Sequence, residues 1–385
     1  MKEVYLESKP RYEILDALRG VAAFIVVIYH HFETFGSGIT SFHGYLAVDF
    51  FFILSGFVIG YAYDDRWDRM TTWQFCKRRL TRLHPMLVWG TILGLLFFYF
   101  GMSDELANIR DAHWPEILLC TLLALVMIPV PQSLDVRGWA DFNPMNGNTW
   151  TLTYEYIANL LYALVIRRFN KVVLGIFVAL AAILTIGVGL NWNMLGLMAN
   201  RPAEHFYTFI GGWNLNSEEL LLGFSRLLFP FFAGLLMARL FNGSQPSKGR
   251  HNFLISAVLL AGILAIPSFG NNLLNGITEM LSILIMFPII VYIGAKGTVS
   301  GKCRKWCKWL GDISFPLYLT HTPIIFTLCL GWKSNNPDAT QDQILVVCIC
   351  SIILSILTAW ASFKLWDEPV RQWLKVHWLH GKTSR

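Results

Sequence analysis

Two residues of one apolar stretch, Arg19 and His30 in ILDALRGVAAFIVVIYHHFETF (14–35), are of types that grip anions and move protons. The stretch is apolar over about the length that crosses a bilayer. An ionisable side chain at that depth is costly unless it faces protein or a wet cavity, so both residues mark a candidate functional site. Eleven positions separate them. On an α-helix that is about three turns and roughly 16 Å, which puts both side chains on one face. A guanidinium near one surface and an imidazole near the other fit a substrate that reaches across the membrane. His31 lies off that stripe and reads as structural.

Other polar residues fall at a matching depth. His30, Asp49 in GYLAVDFFFILSGFVIGY and Glu155 in TWTLTYEYIANLLY each lie about five residues inside the outer end of their own apolar segment, counted at about 1.5 Å per residue. One imidazole and two carboxylates on three helices are expected to form one buried cluster. In it a carboxylate would fix the histidine tautomer and raise its basicity, as a general base requires. The late segment GDISFPLYLTHTPIIF adds Ser314, Tyr318 and His321. Arg79 and Arg82 stand three apart in TTWQFCKRRLTRLH (71–84), hence on one face of an amphipathic helix at the cytoplasmic surface. Each residue also has a plainer reading. A histidine in a membrane helix can bridge helices, Asp49 and Glu155 can be hydrogen-bonded structural acids, and the arginines can be ordinary topology markers.

Positioning these groups requires a membrane scaffold. Of 385 residues, 55% are hydrophobic and 15% charged, whereas soluble domains carry about 25% charged residues. The net charge of +6 is spread over short loops, which speaks for topology and against nucleic-acid binding. The pattern predicts an all-α polytopic protein with segments at 14–35, 44–63, 85–101, 115–130, 150–169, 171–190, 223–241, 252–268, 276–295, 310–331 and 343–363. The first has no small-residue cleavage site after it and reads as an uncleaved span.

Basic residues mark the segment before 14 (with Lys2), then 64–84, 166–172, 242–251 (Lys248, Arg250), 296–309 and the tail (Lys382, Arg385) as cytoplasmic. Simple alternation fails once, because three apolar segments separate 64–84 from 166–172. The weakest, 115–130, is bracketed by Pro115, Pro129 and Pro131 and is expected to be re-entrant. That leaves about ten spans in a single domain over 1–385, both termini cytoplasmic. The outer stretches are 36–43, 102–114, 131–149, 191–222, 269–275 and 332–342. The longest, 191–222, carries Trp192, Tyr207 and Trp213, a platform for sugar rings or an interfacial lid. Of the seven cysteines, Cys303 and Cys307 have metal-like spacing but no second pair nearby, so no metal is expected.

At this point the sequence resembles the membrane-bound acyltransferase-3 family of bacterial O-acyltransferases. LDALRGVAAFIVVIYHHF resembles its first helix and VDFFFILSGFVIG its second. RRLTRLHP resembles its cytoplasmic arginine motif, TWTLTYEY its tryptophan–glutamate motif, and SFPLYLTH its late serine–leucine–tyrosine–histidine segment. Five motifs in order cover essentially the whole chain.

The resemblance implies transfer of an acyl group, usually acetyl from cytoplasmic acetyl-CoA, to a hydroxyl of a glycan or glycolipid at the outer side of the bacterial inner membrane. His30 would be the base, with Asp49 and Glu155 in the catalytic set. Arg19, Arg79, Arg82, Ser314, Tyr318 and His321 would serve the acyl-CoA, and Trp150 and Tyr154 the acceptor. Met86 follows Pro85 where the family favours an aromatic residue, and Tyr154 replaces a usual aliphatic one. With no hydrolase-like domain after the last span, the stand-alone branch is expected. Oligomeric state is open, a homodimer included. The rival reading is a proton-coupled transporter built on the buried His, Asp and Glu, against which the lack of paired halves counts.

Overall fold

Backbone in a hydrocarbon layer must satisfy its polar groups internally, and this chain does so with helices. The computed structural model describes residues 9–35, 41–101, 109, 111–199, 201–241 and 252–379. Lys2, Lys248, Arg250, Lys382 and Arg385, and most of 36–43 and 102–114, lie outside the described residues. Among those described, the sole β pairing is an isolated bridge between Phe42 and Pro267.

The helices are α1 (Glu13–Phe35), α2 (Ala47–Tyr63), α3 (Thr72–Phe100), α4 (Trp114–Leu125), α5 (Trp150–Leu164), α6 (Lys171–Gly189), α7 (Ser217–Phe241) and α8 (Asn252–Leu264). They continue with α9 (Asn272–Lys296), α10 (Gly301–Asn335) and α11 (Gln341–Leu379). All but α4, α5 and α8 are long and apolar enough to cross a membrane by length and composition. The protein is therefore an all-α, multi-pass membrane protein. The two short helices among the ten expected spans, α5 and α8, have 15 and 13 residues.

Several boundaries differ from the sequence expectation, each for a local reason. Residues 71–84 are not a separate surface helix. They are the first half of α3, which opens on a Thr71–Gln74 capping box and runs through Pro85. Proline is tolerated inside membrane helices when neighbouring groups brace the backbone; here Trp366 Nε1 donates to the Pro85 carbonyl at 2.7 Å. Three helices outrun their apolar cores: α7 starts at Ser217, α10 at Gly301, and α11 continues to Leu379. Their charged ends are compatible with helix, and hydropathy reports only the part that lipid would cover. α4 stops after 12 residues in a turn whose Met127 has φ +61°.

α1 packs along α10 and α2 along α7 at the centre, with α3 against α10. α11 is the least enclosed of the long helices. The α2–α7 crossing depends on paired glycines. A Cβ on Gly56 would meet the Phe231 carbonyl oxygen at 1.7 Å, and one on Gly234 the Ile53 carbonyl oxygen at 2.1 Å. Small residues let membrane helices approach this closely, and the approach sets Asp49 of α2 opposite Arg226 of α7.

Candidate functional site

Two cavities lie back to back between the central helices, sharing Val48 and Tyr318 as their common wall. Their empty volumes, counting space open to solvent, are ≈ 720 and ≈ 920 Å³.

The first cavity gathers Arg19 of α1, Arg79 and Arg82 of α3, Glu155 of α5 and Ser314 of α10 over an apolar floor. Arg79 Nη2 donates to Glu155 Oε1 at 2.6 Å. Arg19 reaches its own helix's Asp16 at 3.5 Å. Arg82 is exposed and has no hydrogen bond or ion pair among the described residues. Among the described residues lining this space, Glu155 is the one carboxylate against three guanidinium groups, which leaves the lining net positive. Planar forks with unspent donors suit phosphate oxygens.

His30, Glu33, Trp139, Trp150, Trp213 and Arg226 line the second cavity. His30 Nδ1 is 2.6 Å from Glu33 Oε2, one helical turn on, and its ring lies 5.3 Å from that of His321. His321 is fully buried, with Nδ1 donating to the Leu317 carbonyl at 2.8 Å and Nε2 facing the Asn148 amide at 3.3 Å. A carbonyl only accepts, so His321 carries its proton on Nδ1 and spends Nε2 as an acceptor. His31 is committed in the same way, between the Val27 carbonyl and Ser351, which agrees with a structural role. His30 Nε2 has no hydrogen-bond partner among the described residues.

Between the cavities, Tyr318 Oη donates to the Asn148 carbonyl and faces Thr151 Oγ1, each at 3.2 Å. Asn148 belongs to a turn, NPMNGNT (143–149), that leads into α5 and is bonded to α10 and, by Asn146 Nδ2 donating to the Gly90 carbonyl at 3.1 Å, to α3. Asn143 Nδ2 donates to Thr149 Oγ1 at 2.8 Å, Asn146 Nδ2 to the Leu319 carbonyl at 2.7 Å, and Asn148 Nδ2 to the Tyr318 carbonyl at 3.2 Å. This turn positions Trp150 at the head of α5.

The shared face of Arg19 and His30 stands: one residue enters each cavity. The single cluster of His30, Asp49 and Glu155 does not form. Asp49, fully buried, lines neither cavity and is held by Arg226, with Nη2 at 2.8 Å from Oδ2 and Nε at 3.2 Å. Arg226 also donates to the carbonyls of Tyr45 and Gly211. Glu155 faces the arginines instead of His30. Rotation of α2 turns Asp49 to Arg226, whereas depth separates Glu155 from His30: on α5 Trp150 lines the histidine cavity and Glu155, further along the helix, the arginine cavity. His321, expected beside the donor, sits behind His30. Ser314 and Tyr318 do line the arginine cavity, and Trp150 lines the other. Tyr154 is buried against Gly223 and lines neither.

Of the stretch 191–222, Trp213 reaches the histidine cavity while Trp192 stays exposed. The segment is anchored by buried Glu279, which accepts from the Phe209 amide at 2.5 Å, and by Arg201, which donates to the Thr208 carbonyl at 2.5 Å. Burial pushes the Arg201 guanidinium below its ordinary value, opposed by Glu219 and Glu279. Sequence reading missed Glu33, Arg226 and the asparagine turn. Glu33 alone left a signal, one turn beyond His30 on the same helix.

A family described as an acyltransferase domain matches residues 12–360. "Protein 2 in picA locus" of Rhizobium radiobacter is 33% identical over 165 residues, covering 41% of this chain and 84% of that protein. A Bacillus subtilis (strain 168) protein provisionally named peptidoglycan O-acetyltransferase YrhL is 23% identical over 383 residues, 93% of this chain and 54% of its own length. The O-acetyltransferase OatA of Staphylococcus aureus (strain NCTC 8325 / PS 47) is 26% identical over 380 residues, 94% of this chain and 58% of that protein. The chain thus spans little more than half the length of the last two. No solved structure matches it.

Proposed function

The chain belongs to this acyltransferase family, and from that premise we propose that it transfers an acetyl group from acetyl-CoA to a glycan hydroxyl across the bacterial cytoplasmic membrane. The observation that carries the reading is the pair of cavities parted by Tyr318 and Val48, arginines in one and His30 in the other. Arg82 and Arg19, with donors to spare, bind the CoA phosphates on the side where basic residues mark the cytoplasm. The pantetheine arm passes Tyr318 and presents its thioester to His30.

There the acceptor hydroxyl gives its proton to His30 Nε2 as its oxygen attacks the thioester carbonyl carbon. The carbon–sulfur bond breaks, the thiolate leaves, and it takes up the proton from His30. Trp150 and Trp213 offer the flat apolar faces on which a sugar ring stacks. The names of OatA, an O-acetyltransferase, and of YrhL, provisionally one, support the acetyl group and the hydroxyl acceptor. Proton-coupled transport would need the histidine and the acids in one relay; their division into separate pairs speaks against it.

Calorimetry of the purified full chain with acetyl-CoA tests the reading. Binding by the wild type, weakened in Arg82→Ala, supports it; no binding by the wild type overturns it.

A further inference from the structure

The carboxylate that serves His30 comes from its own helix. We infer that Glu33 is the positioning residue of the reaction, holding the His30 ring in the tautomer that leaves Nε2 free and stabilising the imidazolium formed when that nitrogen takes a proton. This rests on the reading of His30 as the base. It goes beyond that reading in naming the partner, a role that neither Asp49 nor Glu155 fills.

Three observations carry it. Glu33 Oε2 lies 2.6 Å from His30 Nδ1. A carboxylate only accepts, so the proton sits on Nδ1 and the lone pair of Nε2 is the one left for the acceptor hydroxyl. Both residues line the same cavity as Trp150 and Trp213, whereas Asp49 has both oxygens taken by Arg226 and Glu155 lies in the other cavity with Oε1 on Arg79. Of the histidines in this region, His31 and His321 have both ring nitrogens committed to other groups. A pair three residues apart on a solvated helix flank would contribute little. Here the His30 side chain is 18% exposed and that of Glu33 41%, so the carboxylate reaches solvent while the ring it orients lies in the cavity wall, where orientation and charge compensation count for more. Tyr29 places its phenol beside the same carboxylate and lines the same cavity.

The balance of the transfer is unchanged by this assignment. The proton travels from acceptor oxygen to His30 Nε2 and on to the leaving sulfur, while the proton on Nδ1 stays between His30 and Glu33. Glu33 thus touches no reacting atom. It acts through the ring.

The test follows acetyl transfer from radiolabelled acetyl-CoA into the glycans of membrane vesicles that carry the full chain, as wild type, Glu33→Gln, Glu33→Asp and His30→Ala. Glu33→Gln keeps an acceptor for Nδ1–H but removes the charge. It is expected to lower kcat roughly 10- to 100-fold, part of the 10²–10⁴-fold that a positioned base supplies, with KM for acetyl-CoA unchanged. Glu33→Asp is expected to recover part of that loss. If Glu33→Gln turns over like the wild type while His30→Ala is inactive, the assignment falls and the base reading survives. If Glu33→Gln mainly raises KM, or Glu33→Asp recovers nothing, Glu33 is structural and the assignment falls likewise. Full activity of His30→Ala, or no transfer by the wild type, removes the base reading and this inference with it.

Discussion

The two cavities satisfy their charges in opposite ways. In the arginine cavity Glu155 answers Arg79, while Arg82 keeps all its donors. In the histidine cavity each charged group named above has a partner within reach, His30 with Glu33 and Arg226 with Asp49, and tryptophans supply much of the wall. The first is fit to hold a polyanion by charge. The second is fit to hold a flat, uncharged ring by shape and to move one proton. A similar contrast separates two ion pairs of the bundle. Arg79–Glu155 lines a cavity with both partners, at 7% and 13% exposed, whereas Arg226–Asp49 is nearly closed at 1% and 0%, Arg226 alone reaching a cavity wall. The open pair can exchange partners when a ligand arrives; the closed pair is part of the scaffold.

The sharpest way to break this contrast is through the closed pair. Arg226→Ala leaves Asp49 buried without its cation and frees the Gly211 and Tyr45 carbonyls. It is expected to cost about 3–5 kcal/mol, seen as loss of folded protein by detergent thermal-shift and expression assays. A well-folded Arg226→Ala protein would show that the pair is not scaffold. Next comes His30→Ala, expected to lower acetyl transfer by roughly 10²–10⁴-fold while CoA binding measured by calorimetry stays at the wild-type level. Loss of binding with loss of transfer would mean that the cavities are not separate in function.

Smaller effects sharpen the picture from each side. Arg82→Gln is expected to weaken CoA binding by about 1.5–3 kcal/mol, the range for hydrogen bonds to charged groups, with no change in thermal stability. The Arg82 contribution should also shrink at high salt, because the group is exposed. Trp213→Ala is expected to raise KM for the acceptor by roughly fivefold, about 1 kcal/mol, and to leave KM for acetyl-CoA unchanged.

Much of this architecture is legible in the residues themselves. Arg19 and His30 share a face because helix geometry dictates it once the segment is helical. The arginine cavity was foreseeable from Arg79 and Arg82 on one turn, and the segment SFPLYLTH marked Tyr318. Helix ends were read less well at α3, α7, α10 and α11, where apolar windows track lipid contact and say nothing of a helix that continues beyond it. Pro85 is the clearest case. In water it would argue for a break; packed beside α11 it does not end the helix.

The amino-acid order by itself determined that the chain crosses a membrane repeatedly as helices, which of the connecting segments carry its basic residues, and that an imidazole lies three turns from a guanidinium. These follow from short-range rules: helical periodicity, the cost of polar groups in hydrocarbon and the sidedness of basic residues. Only the tertiary structure decided which acid meets which base. Asp49, Glu155 and Glu33 all carried the right chemistry for His30. The rotation of α2, held by close contacts such as Gly56 against Phe231, turned Asp49 to Arg226, the axial offset of α5 set Glu155 beside Arg79, and Glu33 was left at the ring. Spacing within one helix can be counted from sequence; the azimuth of each helix and its axial offset from its neighbours are fixed by packing against residues distant in the chain.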